Sequence, residues 1–313
     1  MTPGGYRRRG ASVIHGCRNL TNKLLLFDAL FSSGAQTLQT IAEDPKHLGA
    51  QIGFTAVLHS WGQKVLFHPH IHCVVTGGGL SPDGKRWVSA SPKYFLPLKV
   101  LAAVFRGKFL DALKTAHAAG KLQLSGATAH LAEQAAWRDF LKELYKLHWV
   151  VYAKPPFGGP EHVFRYLGRY THRVAISNHR LLELKDGQVT FRVKDYADEG
   201  KSKSLTISAL EFIRRFLLHV LPERYVRIRH YGLMAGRNVE TKLARAREIL
   251  GVAAKQDKGS PGDEADASKP WWERLFELTG VDIFQCPVCG SGRMLREPLQ
   301  PVPLPAHAAW DTS

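Results

Sequence analysis

Hydrophobic positions along the chain recur with two periods, and the switches between them set out the expected elements. In LTNKLLLFDALFSSGAQTLQTIAED, 20–44, apolar residues return three and four apart, which predicts an amphipathic helix. IGFTAVLH, 52–59, is β-branched and aromatic, and IHCVVTGG, 71–78, repeats that character. WGQKVLFHP between them turns the chain, so the two read as antiparallel partners. Ser81-Pro-Asp-Gly84 is a turn. Helical patterns follow at roughly 94–118 and 130–147, and WVVYAK, 149–154, reads as a strand stopped by Pro155-Pro156. EHVFRYLGRYTHRVA, 161–175, reads as a short helix.

RLLELK and QVTFRVKDY flank Asp186-Gly187, a strong short-range hairpin signal. LTISALEFIRRFLLHVL then gives a strand end, a cap at Ser208 and an amphipathic helix. VRIRHYG is a basic strand, and NVETKLARAREILG a last helix ending at Gly251. Hairpins rather than βαβ crossovers predict an α+β fold, an antiparallel sheet palm with flanking helices. The expected divisions are a disordered 1–21, a main domain at 22–251, a polar linker at 252–270 and a small tail at 271–313. The tail carries Trp271-Trp272, a CxxC and a Pro-rich end, and no internal repeat is visible.

Charge adds a partner to this outline. Of 313 residues, 43 are Lys or Arg against 27 Asp or Glu, a net charge of +16 that favours polyanions, nucleic acid first. The excess is uneven: Arg165 to Arg180 holds four arginines and no acid, and Lys201 to Leu250 holds eleven basic residues against four acidic. No apolar run reaches the ~18 residues that span a bilayer, and no apolar segment follows the basic N-terminus as in a secretory signal. The expectation is a soluble cytoplasmic protein with no membrane partner and no small-molecule organic cofactor. Four cysteines do not make a disulfide scaffold. Cys286-Pro-Val-Cys289 is half of a zinc knuckle, with two further ligands unassigned.

The candidate chemistry lies in FHPHIHCVVTGGG, 67–79. Side chains two apart share one face of a strand, so His70 and His72 point the same way. His59, closing the preceding strand, joins them as a third metal ligand if the hairpin pairs in the right register. His68 has the right parity but sits beside Pro69, and Gln63 is an outside candidate. Imidazole nitrogen suits several divalent ions, so residue type does not name the metal. Satisfied structural histidines are the bland alternative, and Gly77–Gly79 reads as permitting a turn beside the strand. Tyr166 and Tyr170 stand at i and i+4, about 5–6 Å apart on a helix face, with Arg165, Arg169 and Arg173 around them. Half-buried aromatics packing a helix on the sheet would give the same pattern.

Taken together, these segments resemble a known family. A His-hydrophobic-His pair followed by a tyrosine-bearing helix is the signature of HUH nucleases. FTAVLHSWGQKVLFHPHIHCVVTGGGLSPDGKRWV, YLGRYTHRVAISNHRL and VRIRHYGLMAGRNVETKLARAREIL resemble the two-tyrosine rolling-circle transposases of the insertion-sequence ninety-one type, over about 22–293. The resemblance implies an HUH-like fold and a tyrosine hydroxyl that nicks single-stranded DNA at insertion-sequence ends through a 5′-phosphotyrosine link. It implies Tyr166 and Tyr170 as nucleophiles, His70 and His72 as the metal pair, and Mg or Mn as the cofactor; His59 as third ligand comes from strand pairing. Relatives carry an N-terminal cysteine-rich segment that MTPGGYRRRGASVIHGC does not resemble, so an N-terminally truncated chain is expected. Two other readings compete: a catalytically impaired DNA-binding remnant, and a zinc-dependent hydrolase that leaves Tyr166, Tyr170 and the positive charge unused.

Overall fold

Strand β1 (Gln51–Trp61) pairs antiparallel with β2 (Phe67–Leu80), and β2 pairs with β3 (Trp87–Ser89). The far edge of β1 takes the late strand β7 (Ile228–Gly232), giving one antiparallel sheet in the order β3-β2-β1-β7. The computed structural model describes residues 20–91, 95–153, 163, 168, 175–196, 198–252, 270, 272–273, 276, 282–286 and 289–294. The chain divides into two units, Met1–Ala254 and Lys255–Ser313.

Even-numbered residues of β1, Ile52, Phe54, Ala56 and Leu58, share a core with helices α1 (Leu20–Glu43) and α2 (Leu98–Ala118), which bring Phe27, Phe31, Phe105 and Phe109. Each aromatic buried there contributes about 1.5–3 kcal/mol. Helix α3 (Gln134–Lys146) adds Trp137, Leu141 and Leu144 to the same core. Asn22 fastens α1 by donating to the Gln123 carbonyl and accepting from the Gln123 amide. The strand expected at 149–154 does not form among its described residues, where only Val150 makes an isolated bridge. Trp149 turns inward instead: its indole N–H donates to the Leu144 carbonyl and its ring packs on Phe105 and Phe109.

A second antiparallel sheet, β4-β5-β6, consists of β4 (Leu181–Lys185), β5 (Gln188–Asp195) and β6 (Lys201–Ser208). Its first turn follows the DG expectation, with Asp186 and Gly187 at φ of 48° and 69°. Helix α4 (Ala209–Leu217) covers Val189, Phe191 and Val193 with Phe212 and Phe216. Ser208 caps α4 by accepting a hydrogen bond from the Glu211 amide. Helix α5 (Ala244–Ile249) follows a single π turn and stops at Gly251, where φ is 65°. The α+β fold class is that expected; the helix expected at 161–175 falls outside the described residues apart from Val163 and Gly168, both helical, and Ala175.

Gly77–Gly79 do not form the turn expected of them; all three lie within β2. Gly78 and Gly79 are needed for close approach, whereas a Cβ at Gly77 would meet nothing within 4 Å. A Cβ at Gly78 would stand 2.4 Å from the Val88 carbonyl oxygen, and one at Gly79 2.6 Å from that of Gln51. Gly232 is more constrained still, with a φ of +60° and the Ile52 carbonyl oxygen 1.9 Å from the site of a Cβ. Gly232→Ala should therefore lower stability by about 1–3 kcal/mol, whereas Gly236→Ala, where a Cβ meets nothing within 4 Å, should shift it by less than about 0.5 kcal/mol. Urea unfolding of both variants checks this contrast, and equal losses would refute it.

Candidate metal centre on the first sheet

Odd-numbered residues of β1 point away from the helices, and there the register places His59 opposite His70 and Val57 opposite His72. Pro69 has no N–H to give the ladder. The pairing accommodates it with an irregularity between His59 and Trp61, where β2 spends one residue more than β1. The three imidazoles converge. His59 Nδ1 stands 3.1 Å from His70 Nε2, and His72 Nε2 3.0 Å from the same atom. Among the described residues this is the one group of three His, Cys, Asp or Glu side chains placed to hold a metal ion, with all ligand atoms within 4.8 Å of one another.

Tautomer and protonation follow from the surroundings. His70 Nδ1 lies 2.7 Å from the His68 carbonyl oxygen, which can only accept, so the proton is on Nδ1 and Nε2 turns its lone pair toward the other two rings. An N–H held by a backbone carbonyl is the usual support of a metal-ligating histidine. Burial, reinforced by the neighbouring rings, pushes the His59 imidazole down to about 3 and holds His70 well below its ordinary 6.5. Both are neutral at pH 7, as a ligand must be. Two nitrogens at about 2.1 Å from one ion lie about 3.0 Å apart at a right angle, so the spacing found here fits a shared ion. The Trp61 ring, 3.9 Å from that of His59 between centroids, walls one side.

His68 contributes its carbonyl to His70 and stays outside the cluster, its ring 5.1 Å from that of His70. Gln63 is not brought in: its amide nitrogen reaches the Tyr196 hydroxyl and its oxygen accepts from the Lys194 amide. Tyr166, Tyr170, Arg165, Arg169 and Arg173 lie outside the described residues. Two histidines that sequence reasoning passed over belong to this region. His230 of β7 holds Thr55 Oγ1 at 2.9 Å on the same sheet face. His219, 2% exposed, lies 3.1 Å from Ser60, the neighbour of His59. The only sequence signal for His219 was a lone histidine in the apolar run FLLHVL.

In the second unit, Cys286 and Cys289 sit in a tight knuckle closed by a bridge between Gln285 and Arg293. The Gly292 amide donates to Cys289 Sγ at 3.2 Å, and such backbone hydrogen bonds pull that thiol down to about 7. No third ligand joins the pair among the described residues.

Comparison with known proteins places this geometry in a lineage. Residues 53–242 match the model of the Y2_Tnp family, described as “Putative transposase”. A “Putative transposase y4qJ” of Sinorhizobium fredii (strain NBRC 101917 / NGR234) is 50% identical over 292 residues, covering 93% of this chain and 72% of that protein. A “Transposase for insertion sequence element IS801” of Pseudomonas savastanoi pv. phaseolicola is 27% identical over 281 residues, 85% of this chain and 61% of that protein. No solved structure matches the chain significantly, and no described helix is long and apolar enough to cross a membrane. With the family model matched over more than half of the 313 residues, histidine hairpin included, the chain belongs to the Y2_Tnp transposase family.

Proposed function

We propose that this chain nicks and rejoins single-stranded DNA at insertion-sequence ends through a 5′-phosphotyrosine intermediate, using a divalent ion, Mg or Mn, held by His59, His70 and His72. The observation that carries the reading is the convergence of three imidazoles on the first sheet of a transposase-family chain. Bound there, the ion supplies Lewis-acid polarisation of the scissile phosphate and orients it. The hydroxyl oxygen of Tyr166 or Tyr170 forms the new bond to phosphorus as the P–O3′ bond breaks. The proton lost by the tyrosine ends on the departing 3′ oxygen. The phosphotyrosine keeps the energy of the phosphodiester, so a 3′-hydroxyl can later attack it and reseal a strand, and a second tyrosine permits a second exchange. Arg165, Arg169 and Arg173 fit contacts to the phosphate backbone, within a chain of net charge +16. The Cys286–Cys289 knuckle fits a separate zinc site, given two more ligands.

A three-histidine donor set also suits zinc activating a water, and the tyrosines separate this hydrolase reading from the first. End-labelled single strands from the element's termini, incubated with Mn2+, should give a protein-linked strand on a denaturing gel. Tyr166→Phe with Tyr170→Phe should abolish it, and His70→Ala should lower its rate by about 10²-fold or more. Cleavage that survives the double tyrosine change would establish the hydrolase instead. Salt-sensitive binding without any adduct would leave a DNA-binding remnant.

The depressed histidines give a pH dependence with a definite sign. Burial holds His59 at about 3 and His219 at about 4 in the folded chain, whereas unfolded histidine titrates near ~6.5. Below ~6.5 the unfolded chain takes up protons that the folded chain refuses, so stability is at its plateau above that pH and falls toward pH 4. Each such histidine adds a slope of about 1.4 kcal/mol per pH unit. Urea unfolding between pH 7.5 and 5 should show this loss, with a shallower slope in His219→Gln; a flat profile would contradict the buried neutral assignment.

A further inference from the structure

The turn that joins the two histidine strands is held at three consecutive carbonyls. Arg180 Nη2 donates to the Gln63 oxygen, Arg215 Nη1 to the Lys64 oxygen at 3.1 Å, and His219 Nε2 to the Val65 oxygen at 3.1 Å. None of the three donors belongs to the first sheet. Arg180 precedes β4, Arg215 lies in α4, and His219 follows α4 by two residues. The two arginines are anchored in turn within the second module. Arg180 Nε donates to the Arg192 carbonyl of β5 at 2.8 Å, and Arg215 Nε to Glu211 Oε1 at 2.7 Å.

His219 reaches both sides of the turn. A carbonyl can only accept, so Nε2 carries the proton given to Val65, and Nδ1 accepts from the Ser60 hydroxyl at 3.1 Å. Ser60 is the residue next to His59. Val65 is 0% exposed and sits in the second module's core with Val189, Phe191 and Val193, not in the core of its own sheet. It gets there at φ 55°, a left-handed conformation that a β-branched residue adopts only when its surroundings impose it.

We infer that the second module, β4–β6 with α4, grips the hairpin by its turn and fixes the separation of His59 and His70, with Arg180, Arg215 and His219 as positioning residues of the metal centre. The inference rests on the reading that these histidines hold the ion. From within, the turn beyond the irregular pair beside Pro69 is closed by two backbone hydrogen bonds, Val65 N–H to the Gly62 carbonyl at 3.1 Å and Gly62 N–H to the Leu66 carbonyl at 3.4 Å. Three carbonyl contacts plus a buried valine tie it to the second module from outside. Each turn carbonyl that loses its donor frees one end of the pair that carries the ligands.

The test uses the full chain with two readouts. The first is the Mn2+ dissociation constant, from electron paramagnetic resonance titration of wild type and His70→Ala. The second is hydrogen exchange of peptides within 58–72 compared with 51–56 and 228–232. His219→Leu, and separately Arg180→Ala with Arg215→Ala, should weaken Mn2+ binding by about 10–100-fold and speed exchange within 58–72 alone. His219→Gln, which keeps an N–H near the Val65 carbonyl, should restore both. Protection lost evenly across the sheet, with Mn2+ affinity unchanged, would overturn the inference and leave these residues purely structural. Wild-type Mn2+ binding that ignores His70→Ala would sink the metal reading itself, and the exchange comparison would still decide whether the module holds the hairpin.

Discussion

Everything proposed for this chain depends on the register of one antiparallel pair, β1 with β2. The pairing sets His59 opposite His70, and the two-residue period brings His72 to the same face. A slip of one residue would send His59 toward the helices and Leu58 toward the metal face. Phe54, Ala56 and Leu58 on the buried side make such a slip expensive, because each would leave the core it shares with Phe27 and Phe31. The apolar face of the strand thus enforces the polar one. Hydrophobic burial fixes where the three histidines stand.

Register fixes opposition but not the last ångström. Near His59 the ladder is irregular, since Pro69 cannot donate and the next paired residues are Trp61 and Phe67. At that point strand pairing gives way to other contacts: within the hairpin, the His68 carbonyl on His70 and Trp61 against His59, and from outside it, Arg180, Arg215 and His219 on the turn. A site built this way couples two sheets. The module that buries Val65 thereby reaches the turn between the histidine strands, although it contributes none of the three histidines.

How much of this was legible in the sequence divides along the range of the forces. Local chemistry was readable: the Asp186-Gly187 hairpin, the Ser208 cap and the Gly251 stop are each set by a few neighbouring residues. The parity of His70 and His72 followed from the strand period alone. The pairing of His59 with His70 was legible only as a condition, because WGQKVLFHP permits more than one register. Gly77–Gly79 were read as a turn since sequence shows that glycine is present, not whether it is wanted for positive φ or for a missing Cβ; at Gly78 and Gly79 the crowding by Val88 and Gln51 decides that. WVVYAK was read as a strand from its β-branched composition, and burial of Trp149 against α2 overrode it. The clamp on the turn was out of reach, its donors lying 117, 151 and 154 residues along the chain from their carbonyls. The tyrosine pair rests on resemblance, and its placement lies outside the described residues.

The central claim is that three histidines on one sheet face share one ion. Electron spin echo modulation of Mn2+ bound to the full chain counts the imidazole nitrogens coordinated to the metal. The account predicts three, with one lost in each of His59→Ala, His70→Ala and His72→Ala. A spectrum without imidazole modulation, or one unchanged by all three substitutions, would contradict it and return the histidines to a structural role.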